Sequence, residues 1–302
     1  MSSPASSDSS SVLRPFQRPV GLYEKAMPSD WSWPQRMAAA AEAGYDYVEI
    51  CVDESDERLA RLNWTAAECA EVRRATLDAG LRSLTLCLSA HRKYPLGSHS
   101  PDTRRRSLDI MRRGLDLAAQ LDAKIILMEG YDVFYEEHDE GTVARFVEGL
   151  GQCAAWAAPA AIMLGLENVD VPVTATMGGL LRLIDAVNSP WLQVYADMAN
   201  LVAMAPAPPP SDDPAHSPTV LGLQQAHGRL VAIHVKDGIP GVVRGVRFGE
   251  GQVPFAEAFG TLNAIGFYGP LTVEMWAHLD PTGDPLATIR QARQFVALYE
   301  DA

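Results

Sequence analysis

The chain has 302 residues, 47% of them hydrophobic and 21% charged, with 25 basic against 38 acidic side chains and a formal net charge of −13. That composition excludes a disordered, collagen-like or coiled-coil chain, and the acidity argues against a surface that tracks nucleic-acid phosphates or an anionic membrane, leaving small molecules as the expected partners. The length suits one eight-stranded α/β barrel, which needs about 250 residues.

Residues 1–17 are Ser-rich near their start, with no basic opening and no apolar block, and read as a disordered tail ahead of a single domain over 18–302. A strand at 20–23 leads to a helix at 34–43 that Gly44 closes, and a strand at 45–52 leads to a helix at 65–79 that Gly80 closes. Strand 82–88 precedes helix 101–121, strand 124–129 precedes helix 142–157, and strand 162–167 precedes helix 177–187. After strand 192–197 comes 205–218 (APAPPPSDDPAHSP), too Pro-rich for regular structure and expected as a loop insertion at the rim. Strand 231–236 is followed by a long segment, 238–252, and strand 271–275 by a helix at 285–299. Regular alternation implies a parallel sheet with right-handed crossovers, and eight repeats imply closure into a (β/α)8 TIM barrel. No G-x-G-x-x-G follows the first strand, so a dinucleotide-binding sheet is not indicated. Cys51, Cys69, Cys87 and Cys153 are scattered without a C-x-x-C pair, as expected in a reducing cytoplasm. The most apolar stretch, 154–166, is broken by Pro159 and too short to span a bilayer.

In such a barrel the C-terminal strand ends line one mouth. Strand five ends in Glu167, strand six in Asp197, strand seven carries His234, and strand eight ends near Glu274. Three carboxylates and an imidazole at one mouth repel one another unless a cation joins them. Oxygen donors with one imidazole suit one divalent metal ion, Mn, Mg, Co or Zn. Taken singly, each acid has another reading as a helix N-cap. Lys236 shares the face of His234 and is expected either to offset the remaining negative charge or to pair with Asp237. Trp276 and Tyr195 stand two residues from Glu274 and Asp197 and are read as a pocket wall and as core packing, respectively. The loop after strand three offers His91, Arg92 and Ser98 to an anionic substrate group, and Arg244 and Arg247 beside Gly249 and Gly251 offer a phosphate clamp.

Seven motifs carry a likeness to a known family: GLYEKAMP (21–28), VDESDERLARLNW (52–64), CLSAHRKYPLGS (87–98), GYDVFYE (130–136), HVKD (234–237), FGEG (248–251) and VEMW (273–276). On these the chain resembles the L-ribulose-5-phosphate 3-epimerases of the L-ascorbate utilisation type, within the xylose-isomerase-like TIM barrel superfamily. The resemblance implies metal binding by Glu167, Asp197, His234 and Glu274. It also implies C3 epimerisation of a ketopentose phosphate (L-ribulose 5-phosphate or D-xylulose 5-phosphate type) through an enediolate, with Glu167 and Glu274 exchanging the proton, and a homodimer. Two departures touch the pocket. Glu167-Asn168-Val169-Asp170-Val171 replaces the usual E-I-M-D-T, and Arg247 stands where a proline is usual. Asn200, where free-ketose 3-epimerases usually carry a histidine, points to the phosphorylated-sugar branch as a substrate contact. The alternatives are an aldose-ketose isomerase acting on a hexulose phosphate, a free-ketose 3-epimerase on the same scaffold, and a non-catalytic sugar-binding barrel. A multinuclear DNA-repair nuclease would need more histidines and a basic groove.

Overall fold

Short aliphatic and β-branched runs bounded by Gly, Pro and helix caps leave too little length for helices and pair as strands. The computed structural model describes residues 17–205, 213–280 and 282–300. Its strands are β1 (Val20–Tyr23), β2 (Tyr47–Val52), β3 (Thr85–Leu88), β4 (Ile125–Glu129), β5 (Met163–Glu167), β6 (Leu192–Asp197), β7 (Leu230–Val235) and β8 (Leu271–Val273). Each pairs in parallel with its sequence neighbours and β1 closes on β8, which gives the (β/α)8 barrel that the alternation predicts. The helices are α1 (Trp33–Glu42), α2 (Asp56–Leu59), α3 (Ala66–Asp78), α4 (Pro101–Leu121), α5 (Glu140–Ala160), α6 (Met177–Val187), α7 (Met198–Ala203), α8 (Pro218–Gln225), α9 (Phe255–Ala264) and α10 (Pro285–Ala297).

Local chemistry sets the helix ends. Ser100 Oγ accepts from Thr103 N and Pro101 opens α4, which Asp122 closes in the left-handed region at φ 62°. Gly44 and Gly80 sit at φ 87° and 73° just past α1 and α3, as their positions in the sequence require. Between strands and helices lies the outer core, where Leu86, Ile110, Met111 and Ile126 are fully buried, each contributing roughly 1.5–3 kcal/mol. The barrel interior is packed by Tyr23, Cys51, Cys87, Leu127, Tyr195 and Ala232. Only glycine fits at position 21, because a Cβ there would meet the Tyr47 ring at 2.2 Å. No helix among the described residues is long and apolar enough to cross a membrane.

Several expected boundaries shift. β3 begins at Thr85, and Arg82 makes only an isolated bridge to Tyr47; β8 stops at Val273, leaving Glu274 just beyond it. Residues 1–16 of the expected tail and 206–212 of the expected insertion lie outside the described residues. The described end of that insertion is ordered chemistry and not loop. Asp213 caps a short 3-10 turn over Pro214–His216, and Ser217 caps α8, for which Pro218 supplies the first residue. The expected helices did not include α2, α7, α8 or α9.

Candidate active site

Glu167, Asp197 and His234 come from β5, β6 and β7, and Glu274 follows β8, so four consecutive strands deliver one cluster. One ligand atom from each lies within 4.8 Å of the others, and all four side chains are buried. Asp197 combines the two readings open to it. Its Oδ1 accepts from Asn200 N at 2.7 Å and caps α7, while Oδ2 faces the cluster. Asn168 braces the same residue through its backbone, accepting from Asp197 N at 2.8 Å and donating to Asp197 O at 3.0 Å.

His234 is held from behind. Its Nε2 lies 2.8 Å from Glu49 Oε1, and Glu49 Oε2 accepts from Tyr195 OH at 2.8 Å. Nδ1 is then the nitrogen that faces the cluster, 3.0 Å from Glu167 Oε1, 3.6 Å from Glu274 Oε2 and 3.9 Å from Asp197 Oδ2. An imidazole nitrogen among three buried carboxylates demands either a proton or a metal cation. Burial would depress the His234 pKa, but Glu274, Glu49 and Glu167 overcome it and hold the ring well above its usual value. Asp197 Oδ2 lies 2.7 Å from Lys236 Nζ, outside hydrogen-bond geometry, and is otherwise an unpartnered buried acceptor. Three carboxylate oxygens, Asp197 Oδ2 among them, and an oriented imidazole nitrogen fit one divalent ion, with Glu49 as the carboxylate behind the histidine.

Lys236 completes the charge. Its Nζ contacts Asp197 Oδ2 at 2.7 Å and donates to Glu274 Oε2 at 2.8 Å and to Asn200 Oδ1 at 3.1 Å. It does not pair with Asp237, which is occupied by backbone amides. The two glutamates are driven apart electrically. Burial, with Glu274 and Asp197 adding to it, raises Glu167 to about 7 against the pull of His234. Burial acts on Glu274 too, but Lys236 and His234 outweigh it and hold that carboxyl at about 2. Such separation sorts a pair into acid and base.

Above the cluster opens a cavity of about 630 Å³ walled by Tyr23, Lys25, Arg58, Arg92, Arg244 and Trp276. A lobe of about 20 Å³, sharing Arg92, Glu129, Arg244 and Glu274 with it, extends to Glu167, Asn200 and Lys236. The profile of the xylose isomerase-like TIM barrel matches residues 37–298. This chain belongs to that family. It is similar to the L-ribulose-5-phosphate 3-epimerase UlaE of Escherichia coli strain K12, with 38% identity over 280 residues that cover 93% of this chain and 94% of that protein. Among solved structures, the D-allulose 3-epimerase from Methylomonas sp. in complex with D-allulose superposes with a TM-score of 0.74 at 21% identity, covering 94% of this chain and 98% of that one. A D-psicose 3-epimerase in the presence of D-fructose gives 0.75 at 19% identity, covering 94% and 99%.

Within this member of the xylose isomerase-like family, the expected substrate contacts divide. Arg92, Asn200, Lys236, Arg244 and Trp276 stand at the mouth or the cluster. Arg92 Nη2 donates to Glu129 Oε1 at 2.9 Å and to Tyr131 OH at 3.0 Å, and the Arg244 guanidinium lies 5.4 Å from the Trp276 ring centroid. His91 and Ser98 do not reach the mouth. Residues 89–92 form a 3-10 turn, whose neighbouring side chains splay about 120° apart, so Arg92 faces the mouth while His91 points into the wall, Nε2 against Ser107 O at 3.2 Å. Ser98 is fully buried and its Oγ accepts from Ser100 N at the head of α4. Arg247 is exposed, pairs with Glu250 and lines a neighbouring groove. Tyr195 packs inside the barrel as expected.

Burial lowers the His91 pKa from 6.5 to about 4. Between those values the unfolded chain takes up a proton that the folded one refuses, so stability falls as pH drops from 6.5 to 4. The loss amounts to about 3 kcal/mol. Denaturant titrations of wild type and His91→Leu across that range should show the stability difference between them changing by about 3 kcal/mol; parallel curves would refute it.

Lys25 and Arg58 in the cavity wall, and the acids Glu49 and Glu129, are site residues that escaped the sequence reading. Glu49 sits in mid-strand, three residues before the end of β2, where only an acid inside an apolar run (YVEICV) signals it. Glu129 ends β4 beside Glu167. Burial raises it to about 8 against Arg92, and the strand-end rule applied to β4 finds it.

Proposed function

We propose that the chain is a metal-dependent 3-epimerase acting on a ketopentose phosphate of the L-ribulose 5-phosphate type. The observation that carries this reading is a pair of glutamates, Glu167 and Glu274, flanking one buried donor set with opposite electrostatic bias. Similarity to UlaE supports the substrate class. The proposed ligands are Glu167, Asp197, His234 and Glu274, and the ion, when bound, polarises the C2 carbonyl and so acidifies the C3 proton.

The protein's own groups do the rest. Glu274, ionised, takes the C3 proton from one face, and Glu167, whose pKa lies higher, returns one to the other face. The reverse reaction exchanges their roles. Lys236 neutralises the carboxylates around the reacting carbon, and Asn168 and Asn200 keep Asp197 from turning. The cavity's cations Lys25, Arg58, Arg92 and Arg244 receive the anionic end of the sugar. We expect a homodimer and a cytoplasmic location.

The test is deuterium entry from D₂O with L-ribulose 5-phosphate, its C3 epimer and free ketoses, each with and without EDTA. EDTA-sensitive entry at C3, confined to phosphorylated ketoses, is the expected result. Entry at C1 with an aldose product means an isomerase, turnover of free ketoses means the allulose-type specificity, and no exchange in any sugar means a binding barrel. Glu49→Gln supplies an independent check, since removing the carboxylate behind a ligating histidine typically weakens metal affinity 10- to 100-fold. Calorimetric titration with Mn²⁺ reads this directly, and unchanged affinity would remove Glu49 from the role.

A further inference from the structure

Asp237 of the HVKD motif and Gly249 and Gly251 of the FGEG motif are twelve and fourteen residues apart in the chain, yet they meet in space at the Asp237 carboxylate. This side chain is 2% exposed. Its Oδ1 accepts from Gly238 N at 2.9 Å and Val253 N at 3.3 Å, and its Oδ2 accepts from Gly249 N and Gly251 N, each at 2.9 Å. An ionised aspartate has about four lone-pair sites and no donor, so four amides match it fully. The glycines are required by the approach. Gly249 adopts φ 84°, and a Cβ on Gly251 would come within 2.1 Å of Asp237 Oδ1. Gln252 N closes the same ring on Gly238 O at 2.8 Å.

What this ring ties down is the segment from Gly238 to Gln252, which has no strand or helix of its own. Irregular segments of this length are uncommon unless they serve a site. Here the segment carries Arg244, whose guanidinium lies over Trp276 and lines the cavity beside Glu274. Arg244 is exposed and makes no ion pair within 4 Å among the described residues, unlike Lys25, Arg58 and Arg92, which are paired with Asp53, Glu24 and Glu129.

We propose that Asp237 is a positioning residue. By gathering the amides of Gly249, Gly251 and Val253 it folds the segment after β7 back over the mouth and fixes Arg244 against Trp276, beside the proposed proton-transfer glutamate. Asparagine cannot replace it, because its amide nitrogen meets two N–H donors head-on and leaves them unpartnered.

The test has two arms. The first is limited trypsin digestion read by mass spectrometry. Asp237→Asn should speed cleavage after Arg244 and Arg247 at least about tenfold, while cleavage after Arg105 in α4 stays unchanged. Gly251→Ala, which keeps the carboxylate and blocks the contact from the other side, should do the same, so that a folding failure of one variant does not decide the matter. Unchanged cleavage at 244 and 247 overturns the proposal.

The second arm rests on the epimerase reading. Asp237→Asn and Arg244→Ala should each lower kcat/KM about 10- to 100-fold, as misplacement of a group by about 1 Å does. Their combination should fall no more than about threefold below the weaker single variant, since both remove the same placed cation. Multiplicative losses overturn positioning through Arg244. If wild type turns over no sugar, the epimerase reading fails by itself. Positioning is then decided by fluorescence: the emission of Trp276, referenced to Trp276→Phe, should shift equally in Asp237→Asn and Arg244→Ala, and a shift in Arg244→Ala alone overturns it.

Discussion

Glu274→Gln should lower turnover about 10²- to 10⁴-fold at saturating metal, the range set by loss of one general acid or base, and Glu167→Gln should do likewise. The two losses are expected to differ in kind. Glu274 is held ionised near pH 2 and upward by Lys236 and His234, and glutamine keeps its shape while removing its ability to take a proton. Each variant retains one working glutamate on one face of the sugar. It should therefore still wash deuterium into the C3 position of the epimer whose proton points at that face, without forming the other epimer. Glu274→Gln and Glu167→Gln should retain exchange in opposite epimers. Loss of exchange in the same epimer for both, or turnover of either within about tenfold of wild type, would end the two-base assignment. Because both glutamates are also proposed ligands, Mn²⁺ affinity is measured alongside, so that weak loading is not read as lost chemistry.

The fold was legible because the barrel repeats one local rule eight times. Every expected strand is present, and those at 20–23 and 192–197 match to the residue, since buried parallel strands advertise themselves as short apolar runs. The helices that went unread explain themselves. α7 is six residues long and capped by Asp197, so its start signal was already spent on the metal reading, and α8 begins inside a Pro-rich stretch where Pro218 is an opener and not a breaker. The cluster was legible because its members end strands. What was hidden depends on side-chain direction after the strand ends. A single 3-10 turn sends Arg92 to the mouth and His91 into the wall, and no spacing rule on one sequence distinguishes them. Asp237 was hidden for a similar reason, since its distant partners are amides twelve, fourteen and sixteen residues away that carry no side-chain signal.

The largest effect on stability is expected at Glu24, outside the cluster. This carboxylate is fully buried. Arg36 Nη1 donates to its Oε1 at 2.8 Å, Arg61 Nη1 to its Oε2 at 2.5 Å, and Cys51 N to Oε2 at 2.7 Å, while Arg58 Nε approaches at 3.5 Å. Trp33 lies against both buried guanidiniums, 4.9 Å from Arg36 and 5.2 Å from Arg61. Replacing Glu24 with Ala strips the counterion from cations that have nowhere to go, a change that typically costs 3–5 kcal/mol in a buried pair, so about 4 kcal/mol is expected. At this chain length that corresponds to a Tm lower by roughly 6 °C. The pH dependence has a definite sign. Burial alone would raise the Glu24 pKa, but Arg61, the Cys51 amide and Arg36 bring it below the usual 4.5, so its contribution is complete above that value and is lost as pH falls through the folded pKa. Thermal melts from pH 7 to 3 should therefore show the gap between wild type and Glu24→Ala narrowing as pH falls below 4.5. A difference that stays constant with pH, or one below about 1 kcal/mol at pH 7, would mean that the arginines find other partners. The same network holds Lys25, the next residue, at the cavity wall against Asp53 at 2.6 Å, so any Glu24→Ala protein that folds should also show a raised KM for the phosphorylated ketose with kcat less affected.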